Sequence, residues 1–528
     1  MPDAPIESYA GVYQRVGHKV VRLNSSGYQR PRERALYCLN GAGGADDWAI
    51  SENSIGNIER ALIERVLTVK DEAGNRVSPP QPAPDYVRSE LAEFQRRLIH
   101  TVGKVEQLTT RDFVDSYVGR RKAGYENALK TLPGNPIQPG DAVINMFCKA
   151  EKDNLTLKGD PCPRIISPAS RRFNIAIGVH LKPLEKPVFH GIGRLFGGVT
   201  VMKGYNATER GKFISDAWFK YNKPVAVLLD AARFDQHVNL QVINWEHDTW
   251  EKLAMNRAEL RHLNKMRKTN TLIYRSSEGG FKVRLRGVRM SGAMDTALGN
   301  CTTMCAMTWS FMRQITAQYS YFNDGDDGVL IIEEEHLDSV LAQFKPYFLK
   351  LGFTMKLEGV ARELEHIEFC QSHPVYTGTG WRMVRDPFVC LGKDSLAVAG
   401  PRMSGREQSD RSNAIGWCGL SLAGDVPIFC EFYKSLITGA PPARGIELTT
   451  GMEYLAKGMH PNQTAPSDEC RLSFQKAFRL SPEHQLAIEA DIASYARVAS
   501  AGRFLDEPAT LVMQLSKSYL HHIYTDRL

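Results

Sequence analysis

Tyr321-Phe322-Asn323-Asp324-Gly325-Asp326-Asp327-Gly328-Val329-Leu330-Ile331-Ile332 decides how the rest of this 528-residue chain is read. Aromatic and apolar β-formers flank an acidic, Gly-rich tip. That is the pattern of a β-hairpin whose turn is Asp-Gly, because only Gly meets a φ > 0 demand cheaply. The turn is expected to hold Asp326 and Asp327 at its apex. Adjacent carboxylates repel each other in a folded site, and a divalent cation is the partner that keeps both ionised. Taken alone, the segment reads first as a solvated acidic turn. An EF-hand is excluded, since counting from Asp324 puts Gly328 and Val329 where a ligand and the invariant Gly belong.

Such a metal site needs further ligands, and the first candidate lies upstream. Pro224-Val225-Ala226-Val227-Leu228-Leu229-Asp230 is a buried-strand pattern ending in a carboxylate, continued by Ala231-Ala232-Arg233-Phe234-Asp235. An apolar central strand would deliver Asp230 to its end, where it can meet the hairpin carboxylates. Between the two, residues 251–290 carry eleven Lys and Arg against three acids. They lie on a helix and then on the alternating strand Phe281-Lys282-Val283-Arg284-Leu285-Arg286, which reads as a phosphate-backbone footprint. Ser291-Gly292 breaks that strand, and Ala293 to Met312 reads as a long helix. Ser291, Thr296 and Asn300 offer hydroxyls and an amide at its start.

Further upstream, residues 145–222 are dense in cations around Phe147-Cys148-Lys149-Ala150-Glu151-Lys152 and Lys158-Gly159-Asp160-Pro161-Cys162-Pro163-Arg164. Set among prolines and short β-like runs, these suit a polyanion or a triphosphate, with a solvated basic face as the alternative. Gly41-Ala42-Gly43-Gly44 lacks the Lys-Ser/Thr of a P-loop and reads as a turn. Pro79-Pro80-Gln81-Pro82-Ala83-Pro84 reads as a stiff extended connector and a domain boundary. Downstream of the hairpin, Glu335 to Leu351 is expected to be a helix ended by Gly352. Phe353 to Glu358 and Glu368 to Ser372 are expected to be short strands. Ser481 with Pro482 opens a last helix through Val498.

The composition is that of an ordinary globular chain with several subcores: 43% hydrophobic residues and a formal charge of +7. No apolar run approaches a membrane span, and Met1-Pro2-Asp3-Ala4 lacks a signal-peptide layout, which places the expected location in the cytosol. Ten dispersed cysteines without zinc-type spacing read as reduced thiols.

In order, these segments resemble the motifs of viral RNA-dependent RNA polymerases, most closely the tombusvirus-like group and more distantly the flavivirus-type enzymes. Asp230-Ala231-Ala232-Arg233-Phe234-Asp235 resembles motif A, and Ser291-Gly292-Ala293-Met294-Asp295-Thr296-Ala297-Leu298-Gly299-Asn300 resembles motif B. Gly325-Asp326-Asp327 matches motif C, Gly352 to Lys356 resembles motif D, and Phe369-Cys370-Gln371-Ser372 resembles the primer-grip turn, motif E. Lys149 to Lys152 through Arg164-Ile165-Ile166 resembles motif F. Tyr117 to Ala128 and Ala414 to Leu420 are similar to tombusvirus-like sequences specifically. Residues 1 to about 85 and about 445 to 528 match nothing in the family pattern.

The resemblance implies an α+β, right-hand polymerase fold with a ferredoxin-like antiparallel palm sheet and a largely helical thumb. It implies an N-terminal extension at 1–84 bridging fingers and thumb, fingers at 85–222 and palm at 223–239. A fingers insertion at 240–285, palm at 286–375 and thumb with C-terminal region at 376–528 complete the expected layout. The implied activity is template-directed, two-metal nucleotidyl transfer with de novo initiation, replicating a positive-strand RNA genome. Asp230, Asp326 and Asp327, with the Ala231 carbonyl, would hold Mg²⁺, for which Mn²⁺ can substitute. Lys149, Lys152, Lys158 and Arg164 would bind the triphosphate, and Lys356 would give a proton to the leaving pyrophosphate. Asp235, Ser291, Thr296 and Asn300 would line the nucleotide site, with Asp235, Ser291 and Asn300 reading the 2′-hydroxyl. The polar Asp235 speaks against a reverse transcriptase. The intact acids speak against an RNA-binding scaffold with a decayed palm. Implied partners are single-stranded RNA template, nascent RNA, ribonucleoside triphosphates and a membrane-anchored replication factor, at membrane-associated complexes in the host cytoplasm.

Overall fold

A computed structural model describes residues 12–15, 18–23, 34–39, 48–277, 279–439 and 451–500. The Gly41–Gly44 loop lies outside the described residues.

Everything that matters for the site hangs on a four-stranded antiparallel sheet. Its spatial order is Tyr319–Asp324, Asp327–Glu333, Pro224–Ala231, Met355–Ala361. The run Val225–Leu229 is buried at every position, and alternation sends its side chains to two different cores. Val225, Val227, Leu229 and Ala231 face a core shared with Leu330 and Ile332, the helix Thr296–Ile315 and the helix Leu337–Lys350. Ala226 and Leu228 face the opposite core, with Val329, Ile331, Ile214 and Trp218. A sheet covered on both faces explains why its strands read as unbroken apolar runs.

Thr296–Ile315 is buried along almost its whole circumference from Leu298 to Met312, so its polar motif residues can face only fixed protein neighbours or a substrate. It starts three residues later than the sequence pattern suggests, because the loop before it passes through Gly292 at φ +98 and the Thr296 hydroxyl closes on the Met290 and Ala293 carbonyls. Leu337–Lys350 ends as expected at Gly352, φ +91.

One expectation needs correction. Phe369-Cys370-Gln371 is not strand: Cys370 and Gln371 both sit at positive φ (52 and 58), forming a turn that precedes the strand Ser372–Tyr376. The Pro79–Pro84 connector is held in place by its neighbours. The Gln241 amide donates to the Pro82 and Ala83 carbonyls at 3.3 and 2.8 Å, and a Cβ on Gly352 would meet Pro82 at 3.1 Å. It is docked against the helix Leu240–Leu253 and the end of the helix Leu337–Lys350.

A second, five-stranded sheet runs Val12–Arg15, His18–Leu23, Gly279–Arg286, Thr269–Ser276, Ile144–Asn145. The segment before residue 51 contributes two further pairings. Ala35–Cys38 pairs with Leu396–Ala399, and Trp48–Ile50 pairs with Lys152–Asn154. Helices Gly405–Ala423, Phe429–Ser435, Asp468–Phe478 and Pro482–Ser500 gather on a separate core with Leu420, Phe432 and Phe474.

Candidate active site

The acidic tip is built by a two-residue turn whose central residues are Gly325 and Asp326, with Asp324 paired to Asp327 across its base. This corrects the Asp-Gly reading. Gly325, at φ +88, takes the first central position, while Asp326 has ordinary φ, the pattern of a II′ turn. Asp327 is therefore the first residue of the outgoing strand, not part of the apex. Asn323, fully buried, locks the turn from inside: its amide donates to the Gly325 and Asp327 carbonyls at 2.9 and 3.0 Å. Asp324 is taken out of play by Lys203 and by Arg210 at 2.6 Å. Burial opposes its ionisation, but those two cations outweigh it and hold its carboxyl below the usual range. Gly328 is required for space, since a Cβ there would lie 2.6 Å from the Tyr321 hydroxyl.

Pairing of the central strand with the hairpin ends at Leu229 opposite Gly328, so one step on lie Asp230 and Asp327, on adjacent strands. On the other side of Asp230 the sheet is irregular. Leu228 pairs with Gly359 but Leu229 pairs with Leu357, so Glu358 is an extra residue, and Asp230 comes to stand across from Lys356.

The electrostatics follow from this crowding. Burial raises Asp230 above the usual carboxylate range, and the Asp326 charge adds to it, while Lys356 partly offsets both. Asp326 is raised by burial and partly relieved by Arg164. Asp327 is pushed up to about 7, by burial and then by Asp326 and Asp230. Glu358, which the sequence reading passed over, is raised by burial and by Asp230. The cluster carries more negative charge than its own cations neutralise, the chemistry of a divalent-cation site. It is not a preformed cage: among the described residues no three His, Cys, Asp or Glu side chains are gathered closely enough to hold a metal by themselves. Such a donor set fits an ion like Mg²⁺, which takes one or two carboxylates and completes its shell with water and phosphate oxygens.

Beside this cluster, a tight turn carries the chain from Asp230 to Asp235. Arg233 adopts φ +51, its guanidinium bonds to the Glu64 carbonyl, and the Gln236 amide donates to the Thr68 carbonyl at 2.6 Å. Asp235 accepts a hydrogen bond from the Asn300 amide at 2.8 Å. The Ser291 carbonyl accepts from the Ser167 N–H at 2.6 Å, which ties the start of the motif B loop to the basic region. Thr296 spends its hydroxyl on the two loop carbonyls, so it caps and shapes the loop.

Of the expected phosphate ligands, Arg164 favours the ionised forms of both Asp326 and Asp235 and is the cation brought to the cluster. Lys149 lies alongside it, both bound to Glu151 at 2.6 and 3.5 Å. Lys152 is a correction. It is buried, and its ammonium donates to the Lys393 and Leu396 carbonyls at 2.5 and 2.6 Å, so it joins two segments and cannot serve a triphosphate. Lys158 ends an exposed four-residue helix, with Asp153 as the acid that feels its charge.

The sequence reading missed a buried ionic network behind Asn300. Arg289 is paired to Glu246, which also accepts from Thr303 at 2.6 Å, and Arg267 grips Asp295 with bonds of 2.7 and 2.6 Å. In sequence, Arg267 and Arg289 looked like two more members of a basic block. Only the fold shows that their acids lie on other elements.

Residues 23–499 match a sequence model of the family described as viral RNA dependent RNA polymerase. The chain belongs to that family. Its relatives include proteins named RNA-directed RNA polymerase from plant viruses. The one from melon necrotic spot virus is 37% identical over 466 residues, covering 87% of this chain and 59% of the relative. Those from turnip crinkle virus (36%, 87% and 60%) and carnation mottle virus (35%, 91% and 63%) are similar. The chain spans about three fifths of the length of these three relatives. In the structure Asp230 and Asp327 lie at the ends of two paired strands, with Asp326 in the turn that precedes Asp327.

Proposed function

We propose that this polymerase-family chain extends RNA on an RNA template by attack of a 3′-hydroxyl on a nucleoside triphosphate, starting without a primer. The observation that carries the reading is the undercompensated acidic cluster at the strand ends, with Arg164 acting on both Asp326 and Asp235 and with Asp235 bonded to Asn300. Asp230 and Asp326, with Asp327 and the Ala231 carbonyl assisting, would hold Mg²⁺ or Mn²⁺. When bound, such ions neutralise the carboxylates and stabilise the attacking and leaving oxygens of the displacement. Arg164 and Lys149 would grip the triphosphate. Lys356, across the sheet from Asp230, would release a proton to the leaving pyrophosphate. Asp235 and Asn300 would bond the ribose 2′-hydroxyl, and Ser291 would complete that pocket.

The central four-stranded sheet and its helices form the palm in this reading, and the region from residue 376 onward forms the thumb. Ala35–Cys38 pairs with Leu396–Ala399 and Trp48–Ile50 pairs with Lys152–Asn154, which supports a role for the N-terminal region in joining thumb to fingers. Among the described residues no helix is long and apolar enough to cross a membrane. Recruitment to membrane-associated replication complexes by a separate anchored factor is the companion proposal. The deciding experiment is incorporation of labelled ribonucleotides on single-stranded RNA, with and without primer, for wild type and Asp326→Ala. Template-dependent product that vanishes in the variant supports the reading. Equal inactivity of both, with retained salt-dependent RNA binding, would point instead to a scaffold.

A further inference from the structure

We propose that Arg289, held by Glu246, sets the ribose selectivity of this site by fixing which way the Asn300 amide points; this rests on the ribose-reading role given above to Asp235 and Asn300. An Asn amide has an acceptor end and a donor end, and the two are sterically alike. Facing Asp235 with its oxygen, Asn300 would repel the carboxylate. Facing it with nitrogen, it occupies Oδ1 at 2.8 Å and leaves Oδ2 to accept a hydrogen bond from a 2′-hydroxyl. A guanidinium can only donate. The Arg289 Nε–H bonds the Asn300 Oδ1 at 3.0 Å, so it selects the second arrangement. The backbone N–H of Arg289 also donates to the Asp235 carbonyl at 3.0 Å, so one residue positions both members of the pair.

Two independent features show that the guanidinium is itself held in place. Glu246, with no exposed surface, pairs with it and is fixed in turn by the Thr303 hydroxyl, three residues beyond Asn300 on the same helix. Gly299 leaves its volume to it. A Cβ at position 299 would lie 2.3 Å from the Arg289 Nη2, and Gly299 has no positive φ, so this glycine is there for space. Charge balance alone would be met by a lysine. The planar fork is needed because Nε and Nη serve different partners.

Arg289 is thus a positioning residue, and its test must read selectivity, which a merely structural role would not move. Arg289→Lys keeps the charge and loses the bond to Asn300; Gly299→Ala keeps every charge and displaces the guanidinium. In template-dependent incorporation, the preference for UTP over dUTP should fall about tenfold in each, the value of one charge-assisted hydrogen bond, through a higher KM for the ribonucleotide. Thr303→Val, which loosens only Glu246, should give a smaller loss in the same direction and stands in should either variant fail to fold, as checked by thermal unfolding. If the folded variants keep the wild-type preference while Asn300→Ala loses it, the positioning role is wrong and the ribose-reading role stands. If Asn300→Ala keeps it too, both are wrong. A wild type without template-dependent product would overturn the polymerase reading and this proposal with it.

Discussion

Lys356 stands directly across from Asp230 because the strand that carries the lysine bulges by one residue at Glu358. In a regular ladder, Leu357 would hold that place, and the lysine would fall to the next pair. Bulges re-aim a side chain at the cost of one unpaired residue, and this one sits next to the acidic cluster. Lys356→Gln should therefore lower turnover by about 10²-fold, as expected for loss of a positioned proton donor, with a smaller effect on nucleotide KM. Swapping the two residues, Lys356→Leu with Leu357→Lys, should not restore the rate. Steady-state kinetics on both variants check this, and full activity in the swapped protein would sink the geometric argument.

The turn itself makes a second prediction. Gly328 has no room for a methyl, the nearest obstacle being the Tyr321 hydroxyl at 2.6 Å. Gly328→Ala should destabilise the protein by about 1–3 kcal/mol through overpacking and displace the carboxylates beside it. Adding Tyr321→Phe removes the nearest atom and should recover part of the loss. Denaturant unfolding of the two single variants and the double variant measures the coupling, and strict additivity would show that the two residues do not clash.

Metal binding gives the third. Because Asp326 raises both Asp230 and Asp327 and no three-carboxylate cage preexists among the described residues, Mg²⁺ should raise the unfolding temperature of the wild type more with a nucleoside triphosphate present than alone. Asp230→Asn and Asp326→Asn should abolish the joint effect. An equal metal response in the variants would place the ion elsewhere.

The hairpin, the buried strand before Asp230 and the long helix after Ser291 were legible in the sequence because each is a local pattern: alternation, an apolar run, a turn glycine. The acids were legible for the same reason, lying at the ends of those patterns. Charge pairing was not. Arg267, Arg289 and Lys152 read as free cations, and their fate depends on Asp295, Glu246 and the Lys393 and Leu396 carbonyls, which only tertiary packing brings to them. The bulge at Glu358 was hidden too, because one extra residue in a short strand leaves no periodic trace. By local pattern Phe369–Gln371 read as strand, and only the resemblance to motif E pointed to a turn, since two consecutive non-glycine residues at positive φ run against local preference.

That difference between free and paired cations predicts how RNA binding depends on salt. Lys282 and Arg284 are exposed on alternate positions of the strand Gly279–Arg286, whereas Arg261 is bound to Glu251 at 2.9 Å. Each phosphate of single-stranded RNA that the protein ceases to neutralise makes the slope of log K against log salt shallower by about 0.7. Lys282→Ser and Arg284→Ser should each reduce it by about that much. Arg261→Ser should leave it nearly unchanged, because its charge is already balanced. Fluorescence anisotropy at several salt concentrations distinguishes the three, and equal slopes for all would remove the exposed strand from the RNA footprint.

Lys152 supplies the last prediction, in pH. Burial pulls its ammonium down to about 8 from the ordinary lysine value of 10.5. Between those two values the unfolded chain binds the proton more tightly than the folded one, so the contribution of this group to stability rises with pH through that window. Below about pH 8 the full burial cost is present, and above about pH 10.5 it is gone. Lys152→Met removes the titration but strands the Lys393 and Leu396 carbonyls, a loss that does not change with pH. The stability difference between the two proteins should therefore move in the wild type's favour by about 2 kcal/mol from pH 7 to pH 9.5. Urea unfolding of both at the two pH values measures it. A difference that stayed flat would mean that the ammonium is held comfortably by its two carbonyls, and a difference that moved the other way would mean that folding raises the affinity of Lys152 for its proton.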